Sequence, residues 1–313
     1  MTRRKLQGIL PPMITPLSSP DTLDVEGVGR LVEHMLRGGV HGIFVSGTTG
    51  EGPAVSGKVR RELVVEAVRQ VRRRVPLLVG AIDPCYAEVL NMAKFAADAG
   101  ADALVIAPLY YLHLTPAEIV RYVRQVAAES PLPLLLYNVP FQNLPQFSLP
   151  VLVECSRIPG VVGFKDSSGD FSKMERELEA VGGRPDFSVL VGPEDLMLRT
   201  VKRGGDGCIG AAGNLFPELL VAVYQAAAEG RADEARRLQE VLDSARRQIY
   251  TVGEPTSALL RGVKHAAVAM GLCRGALTPP FEPFSAEEGR ELERRLDVVR
   301  QQVAEALQPT AAS

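Results

Sequence analysis

Val161-Val-Gly-Phe-Lys-Asp-Ser-Ser168 is the stretch that decides how this chain folds. Its first four residues are β-branched, aromatic or glycine, with no polar residue alternating among them. Such a run reads as a strand buried on both faces, the kind found in parallel sheets covered by helices. The strand then ends on Lys165, and a buried strand seldom ends on an amine that nothing uses. Upstream, Leu134-Leu-Leu-Tyr-Asn-Val-Pro140 is a second apolar run, ending on Tyr137. Neighbouring parallel strands bring their carboxyl ends together, which sets a phenol beside an amine. Imine chemistry asks for that pair: a desolvated lysine as nucleophile and a hydroxyl to pass protons. A solvated, inert lysine at a strand end is the competing reading of this segment alone.

Outward from this pair, apolar runs at 8–15, 42–46, 77–82, 103–107, 133–137, 161–165, 188–191 and 207–210 alternate with amphipathic stretches. Val28, Leu31, Val32, Met35 and Leu36 recur at helical spacing, as do the apolar residues of 59–73 and 87–99. The last of these stops at Gly100, an expected helix terminator. Eight β/α units within residues 8–210 predict an α/β fold closed as a TIM (β/α)8 barrel rather than an open doubly wound sheet. From about Pro217 onward the pattern is helical, over 222–228, 232–249, 255–270 and 286–306. The expected division is a barrel carrying the active site over residues 1–222 and a helical C-terminal extension over 223–313.

A barrel keeps its chemistry at the carboxyl ends of the strands. Those ends carry Thr48 and Thr49 after the second strand, Tyr110 and Tyr111 after the fourth, and Tyr137 after the fifth. Lys165 and Ser167 follow the sixth, Glu194 and Asp195 the seventh, and Asn214 the eighth.

Composition bounds the partners. The 313 residues are 46% hydrophobic and 23% charged, with net charge −2, which argues against a nucleic-acid or membrane surface as main partner. The basic cluster 69–74 lies among apolar residues and reads as a solvated helix face. No leader-like apolar stretch follows Met1-Thr-Arg-Arg-Lys-Leu6, and no run approaches the roughly 18 apolar residues of a membrane-spanning helix. Cys85, Cys155, Cys208 and Cys273 show no paired spacing and read as reduced thiols of a cytoplasmic protein. With no His-x-x-x-His arrangement among the four histidines, no metal site is expected, and imine chemistry on a lysine requires no organic cofactor.

Two motifs mislead. Gly52-Pro-Ala-Val-Ser-Gly-Lys58 resembles a phosphate-binding loop, but Val59 supplies no hydroxyl for magnesium and Pro53 removes an amide. Gly205-Asp-Gly-Cys-Ile-Gly210 spells a dinucleotide fingerprint, yet Cys208 and Ile209 read as the strand itself rather than the turn after one. Gly47-Thr-Thr-Gly-Glu-Gly52 is better placed. Its small residues admit a ligand close to the backbone, and adjacent threonines offer hydroxyls and amides to a carboxylate. A plain turn before the next helix is the alternative.

Taken together, Gly47-Thr-Thr-Gly-Glu51, Pro108-Leu-Tyr-Tyr111, Tyr137-Asn-Val-Pro140, Phe164-Lys-Asp-Ser-Ser-Gly169, Gly207-Cys-Ile-Gly210 and Asn214 resemble the dihydrodipicolinate synthase and N-acetylneuraminate lyase family of pyruvate-handling class I aldolases. The order and spacing match over roughly residues 8–280. The resemblance implies a TIM barrel and usually a homotetramer of tight dimers. It implies Lys165 as Schiff-base lysine, Tyr137 as proton relay, and Gly47, Thr48 and Thr49 around the keto-acid carboxylate. Ser167, Ile209 and Gly210 line the same mouth. Tyr110 or Tyr111 matches an aromatic lent across the dimer interface, the register of Pro108-Leu-Tyr-Tyr leaving both open.

One position departs from the synthase pattern. The synthases usually continue Tyr-Asn-Val-Pro with x-Arg-Thr, whereas this chain reads Phe141-Gln-Asn143 and puts Gln142 where the arginine grips a second carboxylate. A neutral amide forgoes that charge-assisted grip, worth about 1.5–3 kcal/mol per hydrogen bond. The expected reaction is therefore pyruvate-dependent cleavage or formation of a 2-keto-3-deoxy acid, with an aldehyde as the second component. Glu194 and Asp195 are then candidates to hold a polyol tail, a solvated loop or helix cap being the alternative. Condensation of pyruvate with aspartate semialdehyde and dehydration of a keto-deoxy sugar acid stand beside it. A keto-acid sensor without turnover is the non-enzymatic reading, and the joint presence of Lys165 and Tyr137 argues against it.

Overall fold

The computed structural model describes residues 5–140 and 146–308. Strand β1 (Gly8–Ile9) is followed by a small antiparallel hairpin, β2 (Leu17–Ser19) and β3 (Thr22–Leu23), and by α1 (Val25–Arg37). Strand and helix then alternate: β4 (Ile43–Val45), α2 (Gly57–Val71), β5 (Leu77–Gly80), α3 (Tyr86–Ala99), β6 (Ala103–Ile106), α4 (Pro116–Glu129), β7 (Leu134–Asn138) and α5 (Leu149–Cys155). The series continues with β8 (Val161–Asp166), α6 (Phe171–Val181), β9 (Ser188–Val191), α7 (Met197–Lys202), β10 (Gly207–Cys208) and α8 (Pro217–Ala228).

Eight strands hydrogen-bond in parallel in the order β4-β5-β6-β7-β8-β9-β10-β1. The ring closes where Pro12 bridges Phe44, with Met13 N donating to Phe44 O at 2.8 Å and Phe44 N to Pro11 O at 2.9 Å. Asn214 stitches the same seam, donating to Pro12 O at 3.0 Å and accepting from Ile14 N at 2.9 Å. The expected TIM barrel is therefore observed. The run read at 8–15 is shorter as a strand because Pro11 and Pro12 lack the amides a ladder needs. The hairpin carries no alternation long enough to be read from sequence.

Alternation along each strand builds two cores. Leu10, Phe44, Leu78, Val105, Leu135, Tyr137, Leu190 and Ile209 pack inside the barrel. Ile43, Val45, Leu104, Leu136, Phe164 and Val191 face the helices. In β8 the same period puts Lys165 inward and Asp166 outward. Gly163 is dictated by crowding beneath Lys165: a β-carbon there would lie 2.7 Å from Ser188 O and 2.8 Å from Leu135 Cδ1.

Local chemistry starts the helices where they are needed. Ser56 caps α2 by accepting from Val59 N, so the phosphate-loop lookalike is a turn and a helix cap. Thr115 with Glu118, and Ser285 with Glu288, form reciprocal capping boxes. Beyond α8 come α9 (Ala232–Ile249), α10 (Ala258–Ala269) and α11 (Ala286–Ala306). The domain boundary expected at 222 falls inside α8, the helix that completes the eighth β/α unit. Among the described residues no helix is long and apolar enough to cross a membrane.

Candidate active site

Register sets the candidate pair. Tyr137 on β7 stands directly opposite Lys165 on β8. Lys165 is 3% exposed, its Nζ 4.1 Å above the centre of the Tyr137 ring and 5.5 Å from that of Phe44. Among the described residues this amine has no carboxylate or carbonyl partner. Its neighbours are ring faces, which attract the cation electrostatically but take no proton.

The Tyr137 hydroxyl meets Thr48 Oγ1 at 3.4 Å, so the turn after β4 reaches the pair. That turn is tightly wound: Gly50 N and Gly52 N both donate to Gly47 O, at 3.1 and 3.0 Å, and Glu51 N to Thr48 O at 3.0 Å. Gly47 is required because a β-carbon would lie 2.5 Å from the Phe44 ring. Thr48 and Thr49 remain half-buried. Lys165, Tyr137 and Thr48 are thus brought together, and Gly47 and Thr49 lie beside them.

The remaining candidates separate. Ile209 packs in the inner wall, and Gly210 backs onto the Glu194 side chain. Ser167 is buried against Gly192 and donates its backbone N–H to Asn138 O at 2.9 Å. Tyr110 packs on the inner cluster, and burial, with Asp83 adding to it, raises its hydroxyl above the usual phenol range. Tyr111 does the opposite: it is 92% exposed, with φ at +76°. A bulky residue in that region of backbone space is strained and marks a position to be explained.

Glu194 departs from both sequence readings. It is 3% exposed, so it is neither a solvated loop residue nor a free acceptor for a polyol. Its Oε1 accepts from Ala212 N at 2.8 Å and the Tyr250 hydroxyl at 3.1 Å, while Oε2 pairs with Arg246 at 3.0 Å. Asp195 also pairs with Arg246, at 3.0 Å, and caps no helix. Arg246 lies on α9, and sequence gave no sign that the extension would reach this loop. Gln142, which stands where the synthases carry arginine, lies outside the described residues.

Two buried polar groupings escaped the sequence reading. Glu51 is paired with Lys264 of α10. Behind β8, Asp166 accepts from Asn138 Nδ2 at 2.7 Å and from Lys173 Nζ at 2.7 Å, and Lys173 also reaches Glu177 at 2.6 Å. Only the period of the strand, sending Asp166 away from Lys165, hints at the second grouping.

With this geometry in place, the chain can be set beside known proteins. The profile of the dihydrodipicolinate synthetase family matches residues 5–299. The 4-hydroxy-tetrahydrodipicolinate synthase of Methanosarcina mazei is 32% identical over 290 residues, spanning 93% of this chain and 97% of that one. The N-acetylneuraminate lyase of Rhizobium meliloti is 32% identical over 278 residues, spanning 88% and 90%. Among solved structures, dihydrodipicolinate synthase from Bacteroides thetaiotaomicron superposes with a TM-score of 0.92 at 40% identity, covering 95% of this chain and all of that one. A prophage protein of E. coli K12 of the same family, solved in complex with pyruvate, gives 0.88 at 28% identity over 94% of this chain.

Proposed function

The chain belongs to the dihydrodipicolinate synthetase family, and from that premise we propose that it is a pyruvate-dependent class I lyase working through a Schiff base on Lys165. The observation that carries this reading is the buried, unpartnered Lys165 amine stacked 4.1 Å over the Tyr137 ring. In its neutral form the amine adds to C2 of pyruvate, or of a longer 2-keto acid, and the carbinolamine loses water to give an imine. The protonated imine accepts electrons from the C3–C4 bond as it breaks, releasing an aldehyde. In the reverse direction the enamine carbon adds to the aldehyde. Tyr137 passes the protons, and its 3.4 Å contact with Thr48 gives it a hydroxyl to exchange with. The amides and hydroxyls of Gly47, Thr48 and Thr49 hold the keto-acid carboxylate.

For the second component we propose an aldehyde, with a 2-keto-3-deoxy acid as the cleaved or formed product. The pairing of Glu194 and Asp195 with Arg246 withdraws the two carboxylates that would have gripped a hydroxyl-rich tail. This favours a short chain beyond C4. The names of the relatives support condensation with aspartate semialdehyde as the second reading. Tyr111, strained and projecting, is the tyrosine we assign to a neighbouring copy's site, in a homotetramer built of dimers. We propose that the reaction runs in the cytoplasm, a reading supported by Cys85, Cys155, Cys208 and Cys273 all being free thiols.

Intact mass after incubation with pyruvate and borohydride tests the core of this reading. A pyruvate-sized adduct on the wild type that is missing from Lys165→Ala supports it. No adduct on folded wild type removes it and brings the keto-acid sensor forward.

A further inference from the structure

The turn that carries Thr48 and Thr49 is held from outside the barrel. Glu51, its last acidic residue, is 3% exposed, and its carboxylate is fully engaged by the C-terminal extension. Oε1 pairs with Lys264 Nζ of α10, and Oε2 accepts from Thr278 N at 2.8 Å and Thr278 Oγ1 at 2.7 Å. Lys264, 1% exposed, spends a further proton on Ala276 O at 3.0 Å. The partners are 213 and 227 residues from Glu51, so this contact joins two otherwise distant parts of the chain.

The turn needs holding. Ser46 and Glu51 bracket it with φ of +59° and +54°, both in the left-handed region though neither is glycine. Such conformations persist only where the surroundings over-determine them. Glu51 N donates to Thr48 O at 3.0 Å, and the Thr48 hydroxyl meets Tyr137. A continuous path therefore runs from α10 through Glu51, Thr48 and Tyr137 to Lys165.

We propose that Glu51, Lys264 and Thr278 are positioning residues for the carboxylate-binding turn, and that through them the C-terminal extension sets how tightly the site holds a keto acid. This rests on the roles given above to Lys165 and to Thr48 and Thr49. None of the three touches the reacting atoms. Loosening them is expected to raise the pyruvate concentration needed, leaving the adduct at saturation intact.

The test compares wild type, Glu51→Gln and the milder Thr278→Val, titrating pyruvate in the borohydride trap and following amide exchange of residues 47–52. Half-saturation rises roughly tenfold in Glu51→Gln, short of the hundredfold that a 1 Å misplacement can bring. It rises about threefold in Thr278→Val, which loses the hydroxyl's bond to the Glu51 carboxylate but keeps the backbone one. Exchange at 47–52 quickens in the same order, while the barrel strands stay protected. Unchanged half-saturation with only a lowered Tm in both variants overturns the proposal, since a purely structural contact would behave so. A wild type that forms no adduct fails the Lys165 assignment instead. The exchange measurement, which needs no substrate, still decides whether the three residues hold the turn.

Discussion

Two buried lysines of this chain are handled in opposite ways. Lys264 is held by the Glu51 carboxylate and by the Ala276 carbonyl. Lys165 looks onto the rings of Tyr137 and Phe44, with no carboxylate in reach among the described residues. Burial penalises the charged amine of Lys264. At Lys264 the fold answers with a counter-charge, so the side chain becomes part of the frame; burial still pushes its amine down, with Glu51 pulling the other way. At Lys165 no counter-charge is found among the described residues, as the proposed attack on a carbonyl carbon requires. Partnering, more than burial, distinguishes the structural lysine from the proposed nucleophile.

The largest expected effect comes from removing the unpartnered amine. Lys165→Met should abolish the pyruvate adduct and lower turnover by about 10⁴-fold or more, as loss of a covalent nucleophile does. The fold should tolerate it, because a thioether chain suits ring neighbours better than an amine. A measured Tm at or above wild type, with no adduct, sharpens the contrast; a clear loss of stability breaks it. Tyr137→Phe keeps the ring under the amine and deletes only the proton carrier. Its kcat should fall by roughly 10²–10⁴-fold. Slow trapping with an unchanged final adduct mass would confirm that the phenol moves protons rather than holding the lysine.

At the partnered lysine the expected damage is to stability. Lys264→Met strands the Glu51 carboxylate in the interior, and breaking a buried pair from one side costs about 3–5 kcal/mol. Denaturant unfolding should show that loss, and Glu51→Gln combined with Lys264→Met should recover part of it. If the single variant is as stable as wild type, Lys264 is no anchor and the comparison fails on that side.

How much of this was legible beforehand follows the same division. Lys165 and Tyr137 could be read because each ends an apolar run, and a chemical oddity on a regular background stands out. The eight runs could be counted because both faces of each strand are covered, leaving no polar alternation to blur them. Lys264 was invisible: it sits at a helical position beside other charged residues, and its partner lies 213 residues away. Glu194 was misplaced for a related reason. Its acidic neighbour Asp195 and the proline before it look like a surface loop, and nothing local announces that Arg246 of α9 comes down on both. Tyr110 and Tyr111 could not be told apart from sequence, since the backbone strain that turns one outward leaves no mark in composition.

A third amine carries the comparison past one partner. Lys173 bridges Asp166 at 2.7 Å and Glu177 at 2.6 Å, so one cation serves two buried carboxylates. Glu177 is 1% exposed, and its Oε2 has no partner. Burial, and then the Asp166 charge, push its carboxyl up to about 7, with Lys173 and Arg176 opposing. An unfolded glutamate releases its proton near 4.5. The folded state therefore holds the proton more tightly, and the stability this provides is complete below about pH 4.5 and lost as pH rises through 7. Each pH unit between those values is worth about 1.4 kcal/mol, so the wild type should lose about 2–3 kcal/mol from this group between pH 4.5 and 8. Glu177→Gln cannot ionise and should lack that loss. Its unfolding free energy should gain on the wild type as pH rises, and parallel curves would mean that Lys173 satisfies both carboxylates. The surplus charge would then be absent, and two partners would be no different from one.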